Sequence, residues 1–144
     1  MPAEDLYEYN PDEVGIAVSA IPIFSGWADG EFIKIEPQAD DWEEVVGTDG
    51  ATSRSRGTNR NCVVVIKLLS TSPHNAQLEA LRILDKNTPG GAGVGSCSIR
   101  NGAGSLLHQS AKSWIKKGPD YSYDRKATVR EWRIYAVNME HRYG

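Results

Sequence analysis

Residues able to carry out acid–base or metal chemistry are few in this chain and widely spaced. The three histidines, His74, His108 and His141, form no HExxH motif, and none has a second metal ligand at a useful spacing. The sequence contains no GxSxG motif, and its serines have no recognisable base partner. The spacing therefore predicts no catalytic residue, no metal site and no cofactor, although it leaves open a Ser–His–Asp arrangement assembled in space.

Two further segments have the composition of ligand-binding sites. They lack the neighbouring elements or the residue spacing that such sites need. The run GGAGVGS at 90–96 resembles a phosphate-binding loop, which needs a strand before it and a helix after it. Here a predicted helix precedes the run and a strand follows it, so a flexible connection is the better interpretation. The acidic pairs Asp40-Asp41 and Glu43-Glu44 lack the spacing of an EF-hand, and a solvated acidic face is commoner than a site for a hard cation.

Three arginines, Arg54, Arg56 and Arg60, lie together in one polar segment. A nucleic-acid site usually adds aromatic residues for stacking, and this segment has none. Arginine also binds carboxylates readily through two parallel hydrogen bonds. We therefore favour pairing with carboxylates over pairing with DNA.

The two cysteines, Cys62 and Cys97, form no CxxC motif. Each lies in an apolar or strand-like stretch, which favours buried, reduced thiols. A disulfide formed after release from the cell is the alternative interpretation.

Charge is distributed unevenly along the chain. Residues 1–50 hold one basic and thirteen acidic side chains, a net charge of −12, and residues 51–144 hold fifteen basic and six acidic, a net charge of +9. One interpretation is that the two parts fold against each other and neutralise each other's charge. The other is that acidic and basic surfaces join copies of the chain head to tail. Contacts of the second kind build rings and filaments.

The chain of 144 residues, 40% of them hydrophobic, predicts one domain over 1–144 with a packed core. No apolar run approaches the roughly 20 residues that a membrane-spanning helix needs, so we expect no membrane contact. The acidic start, MPAEDLYEYNPDE, lacks the pattern of a secretion signal. We therefore expect a protein made and kept in a cytoplasm until it is released.

Hydrophobic patterns predict a β-rich fold with one helix. The strands are expected at 14–24, 31–36, 62–69, 94–100, 105–116 and 128–138. CVVVIKLL at 62–69 is apolar on both faces, so both faces should be covered. Residues 40–44 are predicted to form a short helical turn, because acidic residues favour a helix start. The polar segment 47–61 is interpreted as an exposed excursion or a hairpin.

The one predicted helix spans 73–87, with Ser72 as N-cap and Pro73 at the first helical position. Its leucines give a single apolar stripe, so the helix should lie on a sheet. Asn101-Gly102 suits a hairpin turn between the strands on either side. With six or seven strands in all, the fold class is mainly β with one α-helix, a β-sandwich or partial barrel with the helix packed outside.

An ordered set of motifs resembles the tail tube proteins of bacteriophages. The matching segments are spread over 14–137, and are IFSGWADGEFIKIE at 23–36, DWEEVVGTDG at 41–50, the loop through Arg54 and Asn59, LSTSPHN at 69–75, WIKKGPD at 114–120 and REW at 130–132. Each motif is weak alone, and the ordered set is more specific. The chain departs from the family pattern in its glycine-rich stretch 89–95 and in its final residues, MEHRYG.

The resemblance implies a structural protein of the virion tail and not an enzyme. In this family hexameric rings, each closed into a continuous β-barrel around a lumen, stack into the inner tube of a contractile, myovirus-type tail. Type VI secretion tubes have the same architecture. The implied segments are an N-terminal arm at 1–13 and an extended loop at 40–61 that contacts the neighbouring ring. The implied partners are other copies of the chain, a tail sheath protein outside, and the tape measure protein and DNA in the lumen. Assembly is expected in the bacterial host cytoplasm.

The resemblance and the charge pattern give one hypothesis for the contacts between copies. We expect the acidic residues Asp40, Asp41, Glu43 and Glu44 to meet Arg54, Arg56 or Arg60 of an adjacent subunit or ring. A lumen that conducts DNA should not hold phosphate strongly, and the overall acidity of the chain fits that expectation. The sequence does not assign the strand face that lines the lumen.

Three other functions remain open at this stage. A tube terminator, a tube initiator or a tube-like protein near the baseplate would have the same fold and stop at one ring. A monomeric β-rich binding module would have an exposed ligand groove. A hydrolase would need a catalytic arrangement that no motif reveals.

Overall fold

A computed structural model describes residues 11–23, 25–101 and 106–143. Of the predicted N-terminal arm, 1–13, only the short 3₁₀ turn Pro11–Glu13 lies among these residues. The described elements are β1 (Gly15–Val18), β2 (Ile21–Ile23), β3 (Ile33–Pro37), β4 (Trp42–Val46), β5 (Thr52–Arg56), β6 (Cys62–Leu69), α1 (His74–Asn87), β7 (Gly95–Arg100), β8 (Leu106–Lys117), β9 (Val129–Val137) and β10 (Glu140–Tyr143).

Eight of the strands form one antiparallel sheet, and β4 and β5 form a separate hairpin. The order in the sheet is β2-β1-β7-β8-β9-β6-β3, and β10 pairs with β8 beyond the end of β9. Strands β2 and β3 are the two edges, so the sheet of a single chain is open. The closed barrel is therefore not a property of the described chain, and a closed ring would require other copies.

The core lies between the two halves of this sheet. Ile16 and Val18 of β1 and Ile99 of β7 belong to the same buried cluster as Val64 and Ile66 of β6. Ile33 and Ile35 of β3 pack against this cluster, so the face that β3, β6 and β9 turn inward meets the face of β1 and β7. Such packing of one sheet face against another agrees with the prediction of a β-sandwich or partial barrel.

The strongest predicted strand is confirmed. Strand β6 covers 62–69 as expected, and its first five residues are all buried, on both faces. Strand β9 alternates between buried residues and partly exposed ones, with Trp132 and Ile134 in the core. Consequently one face of β9 belongs to the core, and the other carries polar side chains.

Helix α1 begins one residue later than predicted, at His74. Pro73 precedes it with φ −67°, and the hydroxyl of Ser72 accepts a hydrogen bond from the backbone N–H of His74 at 3.3 Å. The apolar stripe is only partly used, because Leu78 is fully buried while Leu84 is 53% exposed. The helix therefore covers the core with its first turns and leaves apolar side chains in solvent towards its end.

Several sequence predictions are wrong in detail. The predicted strand 14–24 is two strands, because Ser19 and Ala20 take positive φ values of 47° and 69° and turn the chain back. The predicted helical turn at 40–44 is wrong, because those residues lead into β4 and pair with β5. Ten strands are present among the described residues instead of six or seven, and the tail forms the unpredicted β10. The predicted turn at Asn101-Gly102 lies largely outside the described residues.

Candidate assembly surfaces

The β4–β5 hairpin, residues 42–56, is the most exposed part of the described chain. All ten residues of its two strands are exposed, among them Val45 at 66% and Val46 at 64%. An isolated two-stranded hairpin is at best marginally stable in water. The exposed valines therefore make this hairpin a candidate contact surface.

A tryptophan and two arginines stiffen the hairpin on one face. The guanidinium carbon of Arg54 lies 3.8 Å from the centre of the Trp42 ring, and that of Arg56 lies 5.2 Å from it. Cation–π contacts of this kind hold the arginine side chains against the ring. The hairpin consequently presents an ordered face with two cations and one indole. No sequence pattern assigns this role to Trp42, although its position beside the acidic cluster is part of the family motif.

The structure brings most of the seven predicted contact residues together. Glu43 and Glu44 lie on β4, Arg54 and Arg56 lie on β5, and Glu44 is directly opposite Arg54 in the register. Asp40, Asp41 and Arg60 lie at the base of the hairpin. Every one of the seven is exposed, and none forms an ion pair within the part of the chain that the structure describes. The acidic and basic residues thus share one projecting segment, with their charges available to another molecule.

A glycine fixes the base of the hairpin. The backbone N–H of Gly57 donates to the carbonyl oxygen of Asp41 at 2.7 Å. A Cβ atom at position 57 would lie 2.3 Å from the carbonyl oxygen of Asp40, so a larger residue would push the two sides of the base apart. At the same base the carbonyl oxygen of Arg60 accepts the N–H of Met139, which connects the hairpin to the start of β10.

Two of the distant sequence motifs meet in space. Gly26 of the GWADG segment has φ +75°, and a Cβ atom there would lie 2.5 Å from the hydroxyl oxygen of Ser72 in the TSPxN segment. The backbone N–H of Leu69 donates to the carbonyl oxygen of Gly26 at 2.9 Å. The two motifs therefore form one junction that fixes the chain between β2 and β3 against the start of helix α1.

The sheet leaves two strand segments with unpaired edges on the same side of the core. Among the described residues strand β3 pairs only with β6, and Pro37 at its end suits an edge because it has no N–H to donate. Strand β8 pairs with β7 only as far as Ser113, so residues 114–117 pair with β9 alone. Unpaired edges are available for pairing with another chain.

The face of this half-sheet that points away from the core is polar. It carries the side chains that alternate with core residues along β3, β6, β9 and the end of β8, among them Lys34, Lys67, Arg133 and Tyr135. Trp114 stacks on Tyr135 with ring centres 5.2 Å apart. Polar residues alternate with apolar ones in the sequence of these strands, but only the register shows that they belong to one face.

Two of the scattered histidines form a pair that sequence spacing does not reveal. His108 of β8 and His141 of β10 are directly opposite each other, with their Nδ1 atoms 2.6 Å apart. Burial, and secondarily the neighbouring His141, lowers the pKa of His108. In the neutral pair, the Nδ1–H of one ring donates a hydrogen bond to the Nδ1 of the other. The third histidine, His74, lies apart from them at the start of helix α1, where its Nδ1 is 2.8 Å from Oε1 of Gln77.

The cysteines are both free and buried. Desolvation raises the pKa of Cys97 to about 12 and raises the pKa of Cys62. Among the described residues no group of three potential metal ligands is present, and no helix is long and apolar enough to cross a membrane.

Comparison with known proteins places this geometry in a family. The family described as "Bacteriophage PhiTE tail tube protein" matches residues 18–144. The chain is also 25% identical over 141 residues to "Structural protein ORF10" of Pseudomonas phage KPP10, covering 94% of this chain and 82% of that protein. The chain therefore belongs to the phage tail tube family of the first match, a family of structural proteins of the virion tail.

Solved structures with the same fold come from contractile injection systems. One is the PVC sheath-tube complex of an extracellular contractile injection system in its extended state, with a TM-score of 0.62, 11% identity and coverage of 96% of this chain and 93% of the other. Another is the tube-terminating cap of the anti-feeding prophage, with a TM-score of 0.60, 9% identity and coverage of 99% of both chains. At such low identity these likenesses establish the fold.

Proposed function

We propose that six copies of this chain close into a ring and that stacked rings form the inner tube of a contractile phage tail, the conduit for DNA ejection. The observation that carries the proposal is the β4–β5 hairpin, whose strands are exposed along their whole length and carry unpaired charges of both signs. A projecting segment of this kind is stabilised when a neighbour covers it. Membership of the tail tube family supports another copy of the chain as that neighbour.

Ring closure uses the two unpaired edges. In the proposed ring, β3 of one subunit pairs with residues 114–117 of β8 in the next, so that β3, β6, β9 and the end of β8 continue from subunit to subunit. Pairing these two edges around a ring reduces the aggregation hazard of open strands. The open sheet of the single chain becomes a closed barrel only in this assembly.

Stacking uses the hairpin. Arg54 and Arg56 of one ring meet carboxylates of the next, and Asp40, Asp41, Glu43, Glu44 and Arg60 take part in the same set of contacts. The surface that one ring contributes to this contact differs from the surface that the next ring contributes. The rings therefore stack in a single direction. Charge complementarity sets the register between rings.

The remaining partners have separate surfaces in this proposal. Helix α1 exposes Ile83 at 46% and Leu84 at 53%, which suits a contact with a surrounding sheath protein. The lumen carries the tape measure protein during assembly in the host cytoplasm and DNA during ejection. A tube terminator is the second candidate, because the anti-feeding prophage cap matches the whole length of this chain.

Charge reversal on the hairpin tests the stacking contact. We expect Arg54→Glu with Arg56→Glu to give a folded subunit that no longer forms polymers that pellet in the ultracentrifuge. The matched control is Arg125→Glu with Lys126→Glu, two exposed cations in the segment before β9, and it should pellet like the unmodified protein. Unimpaired polymers of the hairpin variant would contradict the stacking contact.

A further inference from the structure

The outer face of the half-sheet β3, β6, β9 and β8 carries a local excess of positive charge in a chain whose net charge is −3. The register, and for Lys116 its contact with the Tyr135 ring, place six basic and two acidic side chains on it, which we call the basic sheet face: Lys34, Glu36, Lys67, Lys112, Lys116, Lys117, Glu131 and Arg133. Lys112 is opposite Val137 and Lys117 is opposite Arg133, whereas Lys116 has its Nζ 5.7 Å from the centre of the Tyr135 ring.

The two carboxylates of this face are already paired. Glu36 lies 3.3 Å from Nζ of Lys34 and 3.8 Å from the guanidinium of Arg133, and Glu131 lies 3.1 Å from the same guanidinium. The other four cations, Lys67, Lys112, Lys116 and Lys117, form no ion pair among the described residues. Three of these four lysines are exposed, and Lys67 is partly exposed.

The apolar groups at the centre of the face are covered and offer little anchor for a protein partner, although Val129 at its end is 45% exposed. Val63 and Val65 are each 3% exposed beneath the charged side chains. Trp114 is stacked on Tyr135, whose hydroxyl accepts a hydrogen bond from the side-chain amide of Asn61 at 3.0 Å. Protein interfaces usually rest on buried aromatic or apolar anchors, and bases of nucleic acid need an uncovered aromatic ring.

We infer that the basic sheet face binds the phosphate backbone of nucleic acid weakly and without regard to sequence. Lysine is a point charge without the fixed geometry that reads a base edge, so it contributes affinity that depends on salt. The inference rests on the proposed tube, in which this face lines the lumen because its opposite face is the core. The overall acidity of the chain favours a lumen that does not hold phosphate strongly. The inference reverses that expectation, because DNA in the lumen would meet the charge of this one face and not the net charge of the chain.

Fluorescence anisotropy of a labelled 20-base-pair duplex tests the binding, with soluble subunits taken after polymers have been removed by ultracentrifugation. If four lysines contact phosphates, affinity should fall roughly a hundredfold between 50 and 200 mM salt. The triple variant Lys67→Gln, Lys112→Gln, Lys116→Gln should lose most of the binding and flatten the log–log salt slope by about 2.7. The matched control removes three exposed cations elsewhere, as Lys86→Gln, Arg125→Gln, Lys126→Gln, and should keep the slope.

No binding at 50 mM salt, or an equal loss in the two triple variants, would overturn the inference. Polymer formation should be examined with the unmodified protein, because Lys116 lies in the segment 114–117 that closes the proposed ring. Polymers without face-specific DNA binding would contradict this inference alone. Face-specific DNA binding without polymers would contradict the proposed tube and leave the basic sheet face in place. Equal melting temperatures of the two variants establish that both are folded.

Discussion

The side-chain oxygen of Asn75 accepts a hydrogen bond from the indole Nε1 of Trp132 at 2.9 Å. Trp132 is 1% exposed, so this is the partner that its N–H requires inside the core. The amide nitrogen of Asn75 donates in turn to the carbonyl oxygens of Leu69, at 2.9 Å, and Ser72, at 3.2 Å. One amide therefore connects the end of β6, the start of helix α1 and the centre of β9.

Removing that amide should destabilise the subunit. In Asn75→Ala the buried indole N–H has no partner, which should lower the free energy of unfolding by about 1–3 kcal/mol. Urea denaturation of the soluble subunit measures the change. Asn87→Ala, at the exposed end of the same helix, is the control and should stay within about 0.5 kcal/mol of the unmodified protein. Equal effects of the two substitutions would mean that the Asn75 network does not stabilise the fold.

A substitution at the base of the hairpin should separate assembly from folding. In Gly57→Ala the new Cβ atom meets the carbonyl oxygen of Asp40 and displaces the hairpin, which lies outside the core. We expect polymer formation to fall sharply while the unfolding midpoint of the subunit changes little. Pelleting and thermal melting of the same preparation give both quantities.

Gly30→Ala is the matched control with the opposite expected result. Gly30 has φ +85° and open space around it, so alanine costs about 1 kcal/mol of backbone strain without a clash. This variant should melt at a lower temperature and still form polymers. Normal assembly of Gly57→Ala, or loss of assembly in Gly30→Ala, would contradict the assigned role of the hairpin base.

The histidine pair should make stability depend on pH. The pKa of His108 is lower in the folded chain than its ordinary value, so below about pH 6.5 the unfolded chain binds more protons. The contribution of His108 to the free energy of unfolding is therefore fully present above about pH 6.5 and decreases as the pH falls below that value. A second proton on the pair would also place two positive rings 2.6 Å apart at their Nδ1 atoms.

The matched measurement compares urea midpoints at pH 7.5 and pH 5.5 for the unmodified protein and for His108→Gln. We expect a larger loss of stability at the lower pH in the unmodified protein, because glutamine does not titrate. The same loss in both proteins would show that other groups cause the acid sensitivity.

The buried thiols should be unreactive in the folded subunit. With a pKa of about 12, Cys97 is a thiolate at pH 8 in roughly one molecule in ten thousand, and the thiolate is the reactive form. A thiol reagent such as Ellman's reagent should therefore react slowly with the native protein and with both cysteines after unfolding in urea. Rapid labelling of Cys97 before unfolding would contradict the buried position of this side chain.

The elements that were predictable from sequence have a strong local pattern. Strand β6 is mainly a run of β-branched residues. Helix α1 begins directly after a proline and contains leucines at helical spacing. The acidic segment 40–44 has the composition of a helix start. Its residues 42–44 are nevertheless extended, because they pair with β5 across a turn. The turn at Ser19 and Ala20 was not predictable, because neither residue is a glycine or a proline. Residues of these types rarely take the positive φ values that the turn requires.

The candidate surfaces were predictable to different degrees. The seven charged residues were found from composition and motif, and the structure places them on or beside one hairpin. The basic sheet face could not be assembled from sequence, because Lys67 and Lys112 lie far apart in the chain and share a face only through the register. The His108–His141 pair depends on β10, a strand that has no apolar alternation to reveal it.

Negative-stain electron microscopy of the purified chain tests the central claim most directly. The proposed function predicts long hollow tubes built of stacked rings, with six-fold symmetry in end views. Isolated rings that never stack would favour a tube terminator instead. Featureless monomers at every protein concentration would contradict a self-assembling tube subunit.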